Sequence, residues 1–498
     1  EVNYSKEMLS LYFQNEDPEF DLLFDSQEEA QAYVDRYKQS VLADGSKVVA
    51  ERVNFAPQPQ SSMSVIDQHT GYVKAIVGGR GEKTASLTLN RATDTTRQPG
   101  STFKVVSTYA PALNEKGMTL ATTFEDEPYN YPDGSPVENA SRTYGGTTTI
   151  RRAIRNSINV VAVKCLEEVT PELGLQYLDN FGFTTLAHGT EADTDANGTV
   201  WTDANLPLAL GGLTHGVTNV ELCAAYAAIA NQGNYIEPLY YTKILDHNGN
   251  VLIEKTSAER SVIKESTAWL LTSAMEDVVK SGTGTACQLD NMTVAGKTGT
   301  TDDYNDLWFV GYTPYYTCAV WSGFDNNEKL PDDYSRDFHK DMWRKVMTRI
   351  HEGLEDKDFE MPSTVEKISV CADTGLLPRS GCSVITEFFD VGDVPTDYCE
   401  EHFYEPEPVI PEYTYDETII PEPSLTPENP DENGDQGDGN TDNGDAGGEG
   451  NGGDDTGSGD TGGGDTGDGD TGGGDVGGGD TDGGDTGGGD AGGGEIIE

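Results

Sequence analysis

Apolar residues recur at helical spacing in several stretches of this 498-residue chain. In STFKVVSTYAPALNEKG, the apolar side chains of Phe103, Val106 and Ala110 lie three to four positions apart. This spacing predicts a helix with Ser101 in its first turn. The runs QEEAQAYVDRYKQSVL, TIRRAIRN, VVAVKCLEEV and ESTAWLLTSAMEDVVKSG predict further helices. From about residue 428 the pattern disappears, because Gly, Asp and Thr repeat there with almost no apolar residue.

The composition of the C-terminal part indicates how much of it can fold. Residues 428–498 are predicted to be disordered, because they cannot bury enough surface to offset the entropy cost of ordering. Residues 405–427 are rich in Pro and Glu and predict a semi-rigid spacer. The formal net charge is −55, and residues 380–498 contribute 33 Asp and Glu but no Lys or Arg. This excess of negative charge argues against nucleic acid as a partner, because phosphate contacts need clustered Lys and Arg. We interpret the tail as solvated chain, with weak binding of divalent cations or a spacer role as alternatives.

Three short polar motifs follow one another in a fixed order. They are STFK with Ser101 and Lys104, SIN with Ser157 and Asn159, and KTGT beginning at Lys297. Each is weak alone, but the ordered set is typical of serine enzymes that are acylated by penicillin. A serine hydroxyl needs a base to take its proton, and a neutral lysine one helical turn away can serve. Burial and a second nearby cation both lower the pKa of such a lysine.

A second Ser-x-x-Lys tetrad, Ser261 to Lys264, is distinguished by its context. Ser101 follows the turn sequence QPG and opens a helical run, whereas Ser261 precedes a separate helix with no glycine turn before it. We therefore expect Ser261 and Lys264 to be ordinary loop residues.

The chain resembles the transpeptidase domain of class A (high-molecular-mass) penicillin-binding proteins. Besides the motifs, residues 61–80 look like the opening hairpin of that domain and residues 208–233 like its central helical segment. Residues 281–326 look like the catalytic strand and its partners. The resemblance covers about residues 54–355. It implies an α/β fold of the β-lactamase/transpeptidase type: a central antiparallel sheet flanked by helices, plus a mainly helical lobe.

The resemblance also implies a role for each motif residue. Ser101 is the nucleophile, Lys104 is its base and Lys297 is the second cation. Ser157 relays a proton to the leaving amine, and Asn159 binds a substrate amide or holds the base in place. Backbone N–H groups of Ser101 and Thr300 form the oxyanion hole. Thr298 and Thr300 bind a terminal carboxylate, and Gly299 lets the strand edge approach the substrate.

These expectations point to a D,D-transpeptidase that cross-links peptidoglycan stem peptides and is inhibited by β-lactams. Ile158 stands where class A β-lactamases usually have Asp, and no Glu-x-x-Leu-Asn run is present. Both departures favour a transpeptidase over a β-lactamase. A D,D-carboxypeptidase and a non-catalytic β-lactam sensor or wall-binding protein are the alternatives. The predicted reaction needs neither a cofactor nor a metal.

The resemblance also predicts the domain organisation. Residues 1–53 are expected to be a mostly helical connector, residues 54–355 the transpeptidase domain and residues 356–404 a small Cys-containing module. The family normally has a membrane helix and a glycosyltransferase domain upstream. We therefore expect the chain to be a fragment of a bifunctional enzyme, anchored through an N-terminal segment at the extracytoplasmic face of the membrane.

Seven cysteines fall into two groups. Four lie in apolar or small-residue runs and are interpreted as buried thiols: Cys165, Cys223, Cys287 and Cys318. The other three cluster after the predicted transpeptidase domain, followed by one histidine: Cys371, Cys382, Cys399 and His402. One disulfide is expected there in an extracytoplasmic protein. A Cys3His zinc site is the alternative, although its spacing is not a standard one.

Overall fold

The fold is described by a computed structural model that covers residues 2–83 and 86–402, without the side chain of Asp302. The predicted spacer at 405–427 and the predicted disordered tail at 428–498 lie outside these residues. Among the helices of the described part, none is long and apolar enough to cross a membrane.

The helical predictions are confirmed. The α-helices of the described residues, α1 to α9 in chain order, are Lys6–Gln14, Gln27–Val41, Ala110–Glu115, Ile150–Asn156, Asn159–Val169, Pro171–Asn180, Asn219–Ala230, Glu265–Ser281 and Phe338–Ile350. Short 3-10 turns are Gly100–Thr102, Glu191–Asp193, Leu206–Leu210, Thr285–Cys287 and Asp302–Tyr304, and a π-helix spans Lys104–Tyr109.

The strands of the described residues pair with antiparallel neighbours throughout. In chain order, β1 to β15 are Gln60–Asp67, Tyr72–Val77, Thr123–Asp126, Tyr129–Asn130, Pro136–Val137, Gly146–Thr149, Asn234–Ile236, Lys243–Leu245, Val251–Glu254, Glu259–Ser261, Ala295–Thr300, Asp306–Tyr312, Thr317–Gly323, Val365–Cys371 and Val384–Asp390.

A five-stranded sheet in the order β11-β12-β13-β1-β2 forms the centre. Every residue of β12 and β13 is buried, because helices cover both faces. Alternate side chains of β12 point to opposite faces. Trp308 joins the main core, whereas Phe309 packs on the other face against Trp343 of α9 at 5.0 Å between ring centroids. The predicted fold class is confirmed, and the exposed edge of β11 carries the KTGT motif.

The predicted helix after Ser101 is present but is not a regular α-helix. It begins as a 3-10 turn, continues as a π-helix and becomes α-helical only at Ala110. Pro111 gives a reason, since proline lacks the N–H that would bond to the Ser107 carbonyl in an α-helix. Ala110 instead donates to the Val105 carbonyl five residues earlier. π-Helical turns are frequent at functional sites.

The last two described strands form a small C-terminal module, defined here as residues 365–402. β14 and β15 pair over their full length. The module packs on the rest of the chain, with Phe388 against Trp269 of α8 at 4.7 Å between ring centroids. Arg151 of α4 adds an ion pair to the buried Glu387 of β15.

Candidate active site

Ser101 lies on a turn that is pressed against the catalytic strand β11. Gly100 has a positive φ of 54°, and a Cβ added there would lie 2.7 Å from the Thr300 carbonyl oxygen. A Cβ on Gly299 would lie 2.5 Å from the carbonyl oxygen of Pro99. Two glycines therefore let the serine turn and the strand touch. That Gly299 also lets the strand edge approach a substrate stays a prediction.

Lys104 connects the serine helix to the second motif. Its side chain is completely buried. The Nζ atom donates to the Ser157 carbonyl oxygen at 2.7 Å and to Asn159 Oδ1 at 2.5 Å, and it lies 3.3 Å from Ser157 Oγ. Two of the amine protons are therefore taken by acceptors that cannot themselves donate. Ser157 Oγ is a third and more distant neighbour, so one position of the amine stays available for a proton or a lone pair.

Lys297 reaches the same hydroxyl from the sheet side. Its side chain is also completely buried, and Nζ lies 2.8 Å from Ser157 Oγ and 3.1 Å from the Thr298 carbonyl oxygen. Ser157 Oγ therefore lies between the two amines. Because a hydroxyl can donate one proton and accept others, this arrangement gives a continuous path for proton exchange between Lys104 and Lys297.

The electrostatics of the two lysines differ. Burial, followed by the charge of Lys297, lowers the pKa of Lys104 well below its usual value. Burial alone lowers the pKa of Lys297 to about 7. Two ammonium groups that share one hydroxyl repel each other, so the second proton binds poorly. Burial therefore weakens proton binding at both lysines, and the charge of Lys297 weakens it further at Lys104.

Ser157 is held in a strained backbone conformation. It caps the C-terminus of α4 with φ 57° and ψ 41°, the left-handed region that costs a residue with a side chain. This turn separates α4 from α5, which begins at Asn159. Strain of this kind concentrates at functional sites. Here it brings Ser157 Oγ and the Asn159 amide onto the same amine, that of Lys104.

Asn139 is a supporting residue that the sequence analysis missed. Its Oδ1 accepts from the backbone N–H of Asn159 at 2.9 Å, and its Nδ2 donates to Asp126 at 2.7 Å. Asn159 Nδ2 in turn donates to the Glu138 carbonyl at 2.6 Å, which leaves its Oδ1 for Lys104. These contacts orient the second motif. Asn139 lies 20 residues before Asn159, so no local spacing signal marked it.

The outer edge of β11 offers backbone groups beside Ser101. Thr301 N–H bonds to the Asp306 carbonyl at 3.2 Å, on the side of β12. Because N–H groups alternate in direction along a strand, that of Thr300 points to the free edge. The first N–H groups of a helical turn also lack partners within the helix, and Ser101 occupies such a position.

Thr283 is a second residue that the sequence analysis missed. Its Oγ1 atom lies 2.6 Å from Thr298 Oγ1.

The structure also places the remaining candidates. Ser261 ends the short strand β10 and Lys264 caps α8, so the expectation of loop residues was wrong for Ser261. The pairing of β10 with β7 accounts for the difference. The four expected buried thiols are confirmed as buried. The Cys and His residues of the C-terminal module meet in a separate cluster.

The fold and the site together define a penicillin-binding transpeptidase domain. The family model described as the penicillin binding protein transpeptidase domain matches residues 62–348, and the chain belongs to that family. A second model, the C-terminal domain of penicillin-binding protein 1A, matches residues 361–404. The resemblance to class A proteins is confirmed, while the domain boundaries given above stay a prediction.

Individual relatives agree with the family. Penicillin-binding protein 1A of Clostridium botulinum is 34% identical over 382 residues, covering 73% of this chain and 44% of the relative. The chain thus spans less than half the length of this curated relative. The crystal structure of penicillin-binding protein 1A from Haemophilus influenzae has a TM-score of 0.58 at 23% identity, over 70% of this chain and 55% of that one. The PonA1 protein from Mycobacterium tuberculosis, solved with penicillin V, has a TM-score of 0.53 at 25% identity, over 68% and 86%.

Proposed function

We propose that the chain is a peptidoglycan D,D-transpeptidase that acts through an acyl-enzyme on Ser101. The observation that carries the proposal is the position of Ser157 Oγ between the buried amines of Lys104 and Lys297, at 3.3 Å and 2.8 Å. A buried amine with a lowered pKa, three residues after a serine on one helix, is suited to take the proton of that serine.

The proposed first step forms a bond between Ser101 Oγ and the carbonyl carbon that joins the last two D-alanines of a stem peptide. The hydroxyl proton moves to Lys104 Nζ. The carbonyl oxygen becomes negative, and the backbone N–H groups of Ser101 and Thr300 stabilise it. The positive charge of Lys297, with the hydroxyls of Thr298 and Thr300, binds the terminal carboxylate of the substrate.

The tetrahedral intermediate then breaks the C–N bond and releases D-alanine. The leaving nitrogen takes a proton through Ser157 Oγ, which the adjacent Lys104 ammonium supplies. An amine from a second stem peptide attacks the resulting ester, and its proton returns through the same relay to regenerate Ser101 and leave a new amide. A β-lactam acylates Ser101 in the same way, but its leaving group stays tethered and deacylation is slow.

The relatives support the setting of this reaction. The family name and the PonA1 complex with penicillin V support β-lactam binding at this cleft. We place the reaction on the extracytoplasmic side of a bacterial membrane, where cell-wall peptides are found. Membership of a longer glycosyltransferase/transpeptidase, with an upstream anchor, stays a prediction.

The test is product analysis with a synthetic pentapeptide that ends in D-Ala-D-Ala. The chain is incubated with this peptide, with and without an acceptor amine, and the products are measured by mass spectrometry. We expect D-alanine release and an amide product that requires the acceptor, both absent from the Ser101→Ala variant. D-Alanine release without an amide product, both with and without the acceptor, would identify a D,D-carboxypeptidase instead. Acylation by penicillin without any peptide turnover would identify a sensor.

A further inference from the structure

The C-terminal module brings three thiols and one imidazole to one point. These side chains, named here the Cys3His cluster, are Cys371, Cys382, Cys399 and His402. They come from three separate segments, since Cys371 ends β14, Cys382 lies just before β15 and the last two follow β15. Backbone bonds join the segments: Ala372 N–H to the Ser383 carbonyl and Cys399 N–H to the Leu377 carbonyl, each at 2.8 Å.

The distances from the imidazole nitrogen to the three sulfurs fit a tetrahedral metal site. His402 Nδ1 lies 3.5 Å from Cys371 Sγ, 3.9 Å from Cys382 Sγ and 3.3 Å from Cys399 Sγ. All four donor atoms lie within 4.8 Å of one another. With Zn–S bonds of about 2.3 Å and Zn–N bonds of about 2.0 Å, a tetrahedron has N···S edges of roughly 3.5 Å. We propose that the Cys3His cluster binds one zinc ion.

A disulfide accounts for less of this arrangement. It would join two of the three sulfurs and leave the third thiol beside an imidazole that faces all three. In the described part of the chain these cysteines are free thiols. A metal uses all four donors, and thiolate with imidazole is the donor set that favours Zn²⁺ over Mg²⁺ or Ca²⁺.

A carboxylate behind the imidazole gives independent support. Asp373 Oδ2 lies 3.4 Å from His402 Nε2, the ring nitrogen that points away from the sulfurs. Histidines that ligate metals usually donate their second N–H to such a group, which fixes the tautomer and leaves the other nitrogen free to bind. The backbone N–H of Arg379 also donates to Cys382 Sγ at 3.3 Å, which helps to hold this sulfur in place.

The site is closed, which indicates a structural role. Cys371 and Cys399 are buried, and four protein ligands leave no open position for a substrate. The hydrophobic cluster beneath the hairpin has only three fully buried members, Ala121, Val370 and Phe389. Zinc binding releases the thiol protons to solvent and joins the three segments, so its binding energy also stabilises the fold of the module.

The test measures zinc and cobalt in the whole chain. After refolding or expression with Zn²⁺ and desalting, we expect about one tightly held zinc per chain by elemental analysis. The Cys399→Ser variant should lose it, and the Cys223→Ser variant, which alters a buried thiol elsewhere, should keep it. Replacement of zinc by Co²⁺ should give the thiolate-to-cobalt charge-transfer bands of a tetrahedral site. This signature excludes weak binding by the acidic C-terminal carboxylates, which offer only oxygen.

A thiol count distinguishes the alternatives even if a variant fails to fold. Chelated, denatured wild-type chain should show all seven thiols. Two fewer would establish a disulfide and overturn the proposal. So would seven thiols without zinc or a cobalt–thiolate spectrum, or zinc retained by a folded Cys399→Ser chain. Asp373→Asn, which keeps every ligand, should lower the zinc affinity about 10–100-fold, measured in competition with a chelator. An unchanged affinity would show that the Asp373 carboxylate does not support the site.

Discussion

The active-site cleft and the C-terminal module hold polar groups together by different means. In the cleft, two lysines are completely buried beside an extensive core, and hydrogen bonds to Ser157 and Asn159 fix their positions. Within the described residues the module has a small core, and its own polar cluster lies among three chain segments. A large core can keep a charge in an unfavourable place, whereas a small one usually needs a cross-link such as the proposed zinc ion.

The largest expected effect separates chemistry from folding in the cleft. Ser101→Ala should abolish covalent labelling by fluorescent penicillin, because it removes the hydroxyl that is proposed to be acylated. Its thermal unfolding should match that of the wild type, since functional residues are rarely placed for stability. Ser261→Ala, in the other Ser-x-x-Lys tetrad, should label normally. Labelling that persists in the Ser101 variant would show that another residue is the nucleophile.

The next effect tests the buried base. Lys104→Gln should slow acylation about 10³-fold, at the scale of a lost general base. Lys116→Gln, an exposed lysine at the end of the same helix, serves as the control and should react at the wild-type rate. The rates are measured by stopped-flow with a reporter β-lactam. Equal rates in the two variants would exclude Lys104 as the base.

The contact between the two regions should give a stability effect. Arg151→Met removes the partner of the buried Glu387, which should lower the free energy of unfolding by about 3 kcal/mol. Arg152→Met, its exposed neighbour, should change it by less than about 0.5 kcal/mol. Urea unfolding measures both. If the two variants are equally stable, the ion pair does not hold the module to the transpeptidase fold.

The smallest effect concerns pH. Burial lowers the pKa of Lys297 to about 7, so Lys297 should lose its positive charge as the pH rises above that value. The rate of acylation by an anionic β-lactam at low concentration should therefore fall as the pH rises above this pKa. One pH unit above it, the rate should be about tenfold lower than its maximum. Lys297→Arg keeps its charge and should remove this decline. An identical decline in that variant would assign it to another group.

The sequence predicted the elements that local patterns determine. The apolar periodicity predicted α2, α3, α4, α5 and α8 but not α1, α6 or α9. The ordered motifs predicted the residues that meet at Ser157. It did not reveal the π-helix, which depends on Pro111 within a helical pattern. It also missed Asn139 and Thr283, because their roles arise from contacts across the fold, 20 and 15 residues away from the motif residues that they touch. The sequence named the four residues of the Cys3His cluster as an alternative zinc site, but their meeting depends on the β14–β15 pairing.

The most direct test of the account is peptide mapping of the wild-type chain after reaction with penicillin. We expect one adduct by intact mass, located by fragmentation on Ser101. Absence of an adduct in a folded chain, or an adduct on any other residue, would contradict the claim that the three motifs form one acylating site.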